Sequence, residues 1–399
     1  MLQPAISHRH DVVIVGARAA GAATALLLGR LGYDVVLVDR AEFPADTVST
    51  HQLARTGVVA LHRWGLLEPV LAGGAPAIRQ VTFSAAGESV TRQIKLKSGV
   101  DLLVAPRRYL LDTLMAEAAA GAGVDVRMGL TVGGVCLDDA GRAVGVYGRD
   151  RAGHPVEIAA RYVVGADGLG SRVARSVGAE VVEHRGDRTA VHYAYVAGVP
   201  WTGIELIVAE RALAGVFPTH HGEACVWICT PTADARMARR AADSRAAAFG
   251  AQLRRAAPDL AARIRAGHRT SAVIAMLRLP NLRRQAFGPG WALVGDAGYH
   301  RDPITGYGLS DAYRDAELLA TALDQVLCGE RDELGALAGY QRCRDVASQE
   351  IFDLTCALAD YPAVPEFIEL QKELGHAIDR DAAALAARPN PSERELART

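Results

Sequence analysis

The chain has 399 residues, of which half are hydrophobic and 22% are charged, with 40 glycines and 17 prolines. This composition excludes a disordered, collagen-like or disulfide-stapled chain and provides for a large core. The formal net charge is -1, so no basic excess favours binding to nucleic acid or to an anionic membrane. The N-terminal residues lack a signal-peptide pattern, no apolar run approaches the roughly 18 residues of a membrane-spanning helix, and the six cysteines show no zinc spacing. We expect a soluble, cytoplasmic protein without a metal site.

The first elements form a βαβ unit. Residues 11–15 are apolar and mostly β-branched, which is typical of a buried parallel strand. Residues 22–31 are rich in Ala and Leu and favour a helix, and residues 35–38 predict a second buried strand that ends at Asp39. Such a unit at the start of a chain predicts a Rossmann-like domain.

The middle of the chain predicts an antiparallel sheet, and the last part is mostly helical from Leu309 onward. A long helix is expected over 236–265. The predicted strands are 78–83 and 90–96, which form a hairpin, then 189–199, 204–208, 214–217, 224–230 and 271–279.

The predicted fold class is therefore α/β, with two interleaved domains followed by C-terminal helices. The expected boundaries are 1–77, 98–180 and 281–330 for the Rossmann-like domain, 78–97 and 181–280 for a substrate domain with the antiparallel sheet, and 331–399 for the C-terminal helices.

The connection after the first strand, Gly16-Ala17-Arg18-Ala19-Ala20-Gly21, matches two of the three glycines of the GxGxxG fingerprint. The first glycine permits a tight turn and the last permits close packing of helix and strand, while the helix N-terminus offers N–H groups to a pyrophosphate. Asp39 follows the glycine motif at close to the spacing of about 20 residues that is expected of an acid that binds a ribose hydroxyl. Arg18 replaces the middle glycine, so its side chain either turns away or adds charge to the phosphate site.

Two later segments follow predicted strands. Residues 161–172 run from a buried strand into Gly165-Ala166-Asp167-Gly168, which is either a ligand motif or a strand-to-helix turn capped by Ser171. Residues 290–312 deliver Asp296 to a strand end, and a loop rich in Pro and Gly then leads into a helix. A terminal acid holds a polyol and glycines let the backbone lie against a planar ring, so this segment suits a flavin.

These three segments, in this order and spacing, resemble the flavoprotein aromatic hydroxylases of the para-hydroxybenzoate hydroxylase type. Arg55-Thr56-Gly57-Val58 and Pro106-Arg107 match lesser signatures of that family. The resemblance implies FAD as the cofactor and NADPH or NADH as a co-substrate. It also implies that FAD contacts Gly16, Ala17, Arg18, Ala20, Gly21, Asp39, Arg40, Arg55, Arg107, Asp167, Gly295, Asp296, Pro303, Gly306, Gly308 and Leu309.

The resemblance further implies a monooxygenase, in which O2 adds to reduced FAD and the resulting flavin C4a-hydroperoxide hydroxylates or epoxidises an aromatic or polyketide-like small molecule. Positioning, exclusion of water and a general base are then the tasks of the protein. The candidate pocket residues, each of which is otherwise a core or capping residue, are His220, His51, Tyr193, Tyr195 and Phe217.

Other functions stay open at this point. A reductase of unsaturated lipid chains, of the geranylgeranyl-reductase kind, shares the fold and the late Gly-Asp motif. A flavin-binding protein without catalysis, such as a redox sensor, is also compatible, whereas a halogenase is less favoured because its Trp-x-Trp-x-Ile-Pro signature is absent. A separate flavin reductase is an alternative source of electrons, and the C-terminal helices cover the active site or form a homodimer contact.

Overall fold

The computed structural model describes residues 9–49 and 51–390, so the expected domain segments at 1–8 and 391–399 lie outside the described residues. Within the described part, the strands in chain order are β1 (His10–Val15), β2 (Val35–Asp39), β3 (Gln80–Ala85), β4 (Glu88–Gln93), β5 (Asp125–Met128), β6 (Thr131–Leu137), β7 (Ala143–Arg149), β8 (Pro155–Gly165), β9 (Val181–His184), β10 (Thr189–Ala197), β11 (Ile204–Ala209), β12 (Ala212–Pro218), β13 (Ala224–Pro231), β14 (His268–Arg269), β15 (Ile274–Met276), β16 (Leu282–Arg284), β17 (Phe287–Gly288), β18 (Trp291–Leu293) and β19 (Tyr299–His300). The helices are α1 (Ala19–Arg30), α2 (Arg55–Arg63), α3 (Leu67–Ala72), α4 (Arg108–Gly121), α5 (Arg172–Ser176), α6 (Thr232–Arg240), α7 (Arg245–Ala256), α8 (Pro258–Arg263), α9 (Gly308–Leu327), α10 (Glu333–Ala359) and α11 (Val364–Ala386).

The first sheet brings the chemistry-bearing segments to one edge. Its strands lie in the order β17-β18-β8-β1-β2-β5, and the five from β18 to β5 are parallel to one another. Val15 pairs with Val38 and Gly165, and Gly165 pairs with Leu293, so four of these strands end at the same level. Ligands of open parallel sheets bind outside the carboxyl ends of the strands. The fingerprint loop, Asp39 and the two later motifs therefore meet at this edge.

The second sheet is almost wholly antiparallel, with the order β14-β10-β13-β12-β11-β3-β4. The predicted hairpin supplies β3 and β4, joined by Ala86 and Gly87 with φ of 52° and 84°, as in tight hairpin turns. Since β3 and β4 precede α4 while β10 to β15 follow β8, the chain passes repeatedly between the two sheets. The predicted fold class, a Rossmann-like domain interleaved with an antiparallel sheet and followed by C-terminal helices, is confirmed.

The C-terminal helices cover one face of the second sheet. Side chains of β10, β12 and β13, among them Tyr193, Phe217 and Trp227, share a buried apolar cluster with Leu358 of α10 and Phe367 of α11. The opposite face packs against α7 and α8. This arrangement encloses the sheet on both faces, as its nearly continuous burial along β10, β12 and β13 requires.

Two predicted elements are wrong and one begins earlier than expected. The helix expected over 236–265 is divided into α6, α7 and α8. Ser244 begins α7 by accepting the Ala247 N–H, and Pro258, which lacks the N–H of a helix interior, begins α8. The strand expected over 271–279 is reduced to β15, since the Ser271 hydroxyl accepts the Tyr195 N–H at 3.0 Å where a ladder bond would lie. The first helix begins at Ala19 instead of residue 22.

No helix within residues 9–49 and 51–390 is long and apolar enough to cross a membrane.

Candidate active site

The fingerprint loop leaves the N-terminus of α1 open to a cavity of about 660 Å³. Gly16 has a φ of 106°, and a β-carbon there would lie 2.4 Å from the carbonyl oxygen of Ala166, so only glycine permits this turn. Arg18 is the N-cap of α1, but its Nη1 donates to Asp112 Oδ2 at 2.6 Å and does not cap the helix. The first turn of α1 therefore keeps N–H groups and a positive dipole for an anionic ligand.

Asp39 ties the end of β2 to the fingerprint loop. Its carboxylate accepts the backbone N–H groups of Ala17 and Ala41, both at 2.8 Å, while the residue also lines the cavity. Arg40 lines the cavity next to it. Contact of Asp39 with a ribose hydroxyl stays a prediction, because part of its hydrogen-bonding capacity already holds the loop.

Asp167 also has a structural task. One carboxylate oxygen accepts the Ser171 hydroxyl at 2.5 Å and the other accepts the Arg172 N–H at 2.6 Å, so Asp167 supports the start of α5. Ser171 caps the same helix by accepting the Ala174 N–H at 2.9 Å. The strand-to-helix turn considered from the sequence is thus present, and the side of Asp167 and Gly168 that faces the cavity remains available to a ligand.

The late segment forms the opposite wall of the cavity. Asp296 is exposed there, and the turn at Pro303–Thr305 leads into α9, whose N-terminus has no side-chain cap. This is a second uncapped helix N-terminus at the same cavity. Ala17, Gly21 and Gly295 belong to the turns of this site but do not line it. Of the predicted FAD residues, those that line the cavity are Gly16, Arg18, Ala20, Asp39, Arg40, Asp167, Asp296, Pro303, Gly306, Gly308 and Leu309.

Arg55 does not line the cavity, so its predicted contact with the phosphates stays a prediction without support from the cavity wall. Its Nε donates to Asp379 of α11 at 3.0 Å and its Nη1 donates to the carbonyl oxygen of Val100 at 2.9 Å. The side chain therefore holds α2 to the C-terminal helices.

Arg107 is likewise placed outside the cavity, and its predicted contact with FAD stays a prediction. Its guanidinium pairs with Asp46 at 2.6 Å and Glu223 at 3.1 Å and lies 3.5 Å from the centroid of the Tyr195 ring. Arg108, the first residue of α4, lines the cavity instead. Both arginines are visible in the sequence, but which of the two side chains faces the cavity depends on the rotational phase of α4.

His51 is the predicted pocket residue that the structure brings into the cavity. It is buried, has a φ of 68°, and its Nε2 is hydrogen-bonded to the Tyr195 hydroxyl. Its Nδ1 is buried without a hydrogen-bond partner among the described residues. Burial, followed by the positive charges of Arg108 and Arg107, holds the pKa of His51 well below its ordinary value, so the ring is neutral. Such a histidine can accept a hydrogen bond at its unprotonated ring nitrogen.

Tyr193 lies beside this pair without lining the cavity. Its hydroxyl accepts the backbone N–H of Ser49 at 3.1 Å, and its ring is edge-on to Tyr195 with 6.0 Å between the ring centroids. Burial raises the pKa of Tyr193 to about 12. Tyr193 therefore supports the segment that carries His51.

His220 and Phe217 are absent from the wall of this cavity, so their role in a substrate pocket stays a prediction. His220 Nδ1 accepts the Arg107 N–H at 3.3 Å, and burial, together with nearby His221 and Arg107, lowers the pKa of His220 to about 4. Phe217 packs against Trp227 with 5.1 Å between ring centroids. Both residues are part of the interior next to the second sheet.

Residues that the sequence analysis did not assign complete the wall. Tyr299, His300, Arg301 and Asp302 all line the cavity, as does Gln52. The sequence does show charged residues directly before Pro303, which could have marked this segment as part of the site. Their burial could not be derived from the sequence pattern.

The described residues fit FAD. Two helix N-termini face one cavity, an exposed Asp296 is available to a polyol, and the glycine turns allow close approach of the backbone. The volume of about 660 Å³ lies in the range of cofactor sites. Among the described residues, no group of three or more His, Cys, Asp or Glu side chains is arranged to hold a metal ion.

Asp296→Ala is expected to weaken FAD retention by about 10- to 100-fold, because a charged hydrogen bond contributes about 1.5–3 kcal/mol. The measurement is FAD bound per chain after dialysis against a series of FAD concentrations. Asp139→Ala, in an exposed loop away from the cavity, is the control and should bind FAD like the wild type. Full FAD retention by Asp296→Ala would contradict this assignment.

Comparisons with known proteins agree with this geometry. A family described as "FAD binding domain" matches residues 9–355. The menaquinone reductase of Mycolicibacterium smegmatis is 31% identical over 329 residues, which cover 78% of this chain and 77% of the relative. The 6-methylpretetramide 4-monooxygenase of Streptomyces rimosus is 26% identical, over 81% of this chain and 57% of the relative. The crystal structure of PqsL from Pseudomonas aeruginosa, described as a probable FAD-dependent monooxygenase, superposes with a TM-score of 0.77 and 26% identity, over 92% of this chain and 100% of that one.

Proposed function

Because this chain belongs to the FAD binding domain family and is an FAD-dependent oxidoreductase, we propose that it is a monooxygenase acting on an aromatic or polyketide-like small molecule. When bound, FAD reduced by a nicotinamide supplies the activation of O2 and the transfer of one oxygen atom, as the resemblance implies. The tasks of this chain are then to bind and orient the substrate, exclude water and move a proton.

The observation that carries the proposal is the state of His51. His51 lines the cavity with a neutral ring, its buried Nδ1 has no partner among the described residues, and its Nε2 is bonded to the Tyr195 hydroxyl. In the tautomer whose Nε2–H donates to Tyr195, Nδ1 can accept a hydrogen bond from a substrate hydroxyl, which raises electron density on the aromatic carbon that accepts oxygen. Met276 and Leu279 line the same cavity and offer apolar surface to a ring. Relatives that are named as monooxygenases support this choice.

The experiment is turnover under isotope-labelled O2. The FAD-loaded protein is incubated with NADPH or NADH and a panel of phenols and polyketide-like compounds, and the products are analysed by mass spectrometry. We expect one labelled oxygen atom in the product, and a His51→Gln variant should oxidise the nicotinamide but form less of the labelled product. The absence of label in every product that the wild type forms would contradict the proposal.

A nicotinamide as direct reductant is part of the same proposal. Anaerobic mixing of the FAD-loaded protein with NADPH, then with NADH, should bleach the visible flavin absorption with one of them. If neither nicotinamide bleaches the flavin absorption, even when a substrate that the enzyme converts is present, a separate flavin reductase is the source of electrons.

The second candidate is reduction of an unsaturated lipid chain, and the observation that favours it is the 31% identity to a menaquinone reductase. Incubation with menaquinone under anaerobic reducing conditions separates the two functions. Two hydrogens gained by a C=C bond of the isoprenoid side chain without O2 support the reductase, whereas reduction of the ring to the quinol alone does not. A monooxygenase needs O2 for any oxygenated product.

A further inference from the structure

Arg301 is a buried cation in the wall of the cavity. It follows β19 and precedes the turn at Pro303–Thr305, and its side chain is only 2% exposed. The adjacent Asp302 accepts the Thr189 N–H at 3.2 Å, so this stretch lies against the start of β10 in the second sheet. Arg301 therefore lies where the cavity borders the second sheet, whereas the fingerprint loop belongs to the first.

The hydrogen bonding of Arg301 is incomplete. Its Nη2 donates to Asp311 Oδ2, but Nε and Nη1 are buried and have no partner among the described residues. The rings of Tyr307 and Tyr299 lie 4.6 and 5.7 Å from the guanidinium carbon, within cation–π distance, but no oxygen or nitrogen acceptor of the described residues reaches these donors. Buried donors of a charged group are rarely left unpaired, so these two nitrogens need an acceptor in the cavity.

The charge of Arg301 is also only partly balanced by its carboxylate partner. Asp311 is shared, because its Oδ1 lies 2.8 Å from Nη2 of Arg314. Arg314 has a further carboxylate, that of Asp315, at 2.8 Å, whereas Asp311 is the carboxylate within ion-pair distance of Arg301 among the described residues. Arg301 thus retains positive charge toward the cavity, in an interior where charge is weakly screened.

We propose that Arg301 binds an anionic group that enters this cavity, through the N–H groups that the protein leaves unpaired. Two groups have this chemistry. One is the pyrimidine edge of reduced FAD, which carries negative charge at N1 and the C2 carbonyl oxygen, and the other is an ionised phenolate, enolate or carboxylate oxygen of the substrate. The substrate source rests on the proposed function, whereas the flavin source requires only bound FAD.

The first arm of the test uses sulfite and needs no substrate. Sulfite forms a bond from its sulfur to N5 of oxidised flavin, and the displaced π electrons of the ring carry the negative charge toward N1 and the C2 carbonyl. If the flavin is the source, the sulfite Kd, measured by loss of flavin absorption, should rise about tenfold or more in Arg301→Met and should stay within about threefold in Arg301→Lys.

The second arm compares 4-hydroxybenzoate with its neutral counterpart 4-hydroxybenzamide, titrated against the flavin spectrum of the FAD-loaded protein. If the substrate is the source, the wild type should prefer the anion by about tenfold or more, and Arg301→Met should lose that preference while its sulfite Kd stays unchanged.

The matched control is Arg283→Met. Arg283 is also buried and also lies over the Tyr299 ring, at 5.3 Å, but it does not line the cavity. Arg301→Gln is a second neutral variant in case Arg301→Met does not fold, which far-ultraviolet circular dichroism and FAD content report.

The proposal is overturned if neither the sulfite Kd nor the anion preference changes. Both named sources, the flavin edge and a substrate anion, are also overturned if the neutral Arg301 variants lose FAD while Arg283→Met retains it, because Arg301 would then serve the cofactor phosphates instead. None of these readouts depends on oxygen transfer, so failure of the proposed function is seen separately.

Discussion

Gly21→Ala is expected to yield a chain that does not retain FAD. A β-carbon at residue 21 would lie 1.8 Å from the carbonyl oxygen of Gly16 and 3.0 Å from the β-carbon of Ala166. The atom closest to it is backbone, and the loop cannot shift freely because the Gly16 N–H donates to the Val38 carbonyl oxygen at 2.8 Å. The loop must therefore open away from α1, and the N–H groups that would face the pyrophosphate lose their alignment.

We expect the FAD affinity of Gly21→Ala to fall by at least about 100-fold, which corresponds to about 2.8 kcal/mol. The measurement is equilibrium binding of FAD, followed by its fluorescence. Gly375→Ala is the control, since Gly375 is exposed in α11 with no neighbouring atom near its would-be β-carbon, and it should retain FAD while gaining about 0.5–1 kcal/mol of stability. Unchanged FAD binding by Gly21→Ala would show that the cofactor lies elsewhere.

Arg314→Met is expected to lower the free energy of unfolding by about 3–5 kcal/mol, the usual cost of breaking a buried ion pair. Arg314 is fully buried in α9 and lies 2.8 Å from Asp315, 2.8 Å from Asp311 and 3.6 Å from Asp381 of α11. Tyr307, next to α9, also bonds Asp381. The guanidinium therefore holds α9 and α11 together, and its loss leaves buried carboxylates without compensation.

The decrease in the free energy of unfolding caused by Arg314→Met should depend on pH. Burial raises the pKa of Asp311 to about 6, above its ordinary value of 3.8. The folded state thus binds this proton more tightly than the unfolded state, so the stability that protonation contributes is lost as the pH rises through about 6. Without Arg314 the buried carboxylates are costly mainly when they are ionised. The destabilisation should therefore be larger at pH 8 than at pH 5.

Urea unfolding followed by circular dichroism measures this effect. Arg380→Met is the control, because Arg380 pairs with Glu350 on the surface, where an ion pair contributes at most about 1 kcal/mol. Arg314→Lys provides an intermediate variant if Arg314→Met cannot be obtained folded. A variant as stable as the wild type at pH 8 would show that this cluster does not hold the two helices together.

The sequence by itself determined the features that depend on short-range spacing. The order of strand, Gly16 turn and helix α1 follows from residues that are neighbours in the chain, because a tight turn needs glycine and a helix needs its formers. The positions of Asp39, Asp167 and Asp296 at strand ends could be predicted for the same reason. Parallel strands place their carboxyl ends at one edge of the sheet, so the local predictions were enough to expect that the motifs meet at one cavity.

Only the tertiary structure decided which polar side chains face that cavity. Arg107 and Arg108 are adjacent and chemically identical, and the distant carboxylates of Asp46 and Glu223 hold Arg107 outside the cavity, whereas Arg108 pairs with Asp112 of its own helix. His51 reaches the cavity and His220 does not, because Tyr195 of the second sheet bonds one while the turn after β12 encloses the other. The burial of Arg301 likewise depends on the packing of the segment around β19, which pairs with β16. Burial and ion pairing are sums over long-range contacts, which a linear pattern of residues does not contain.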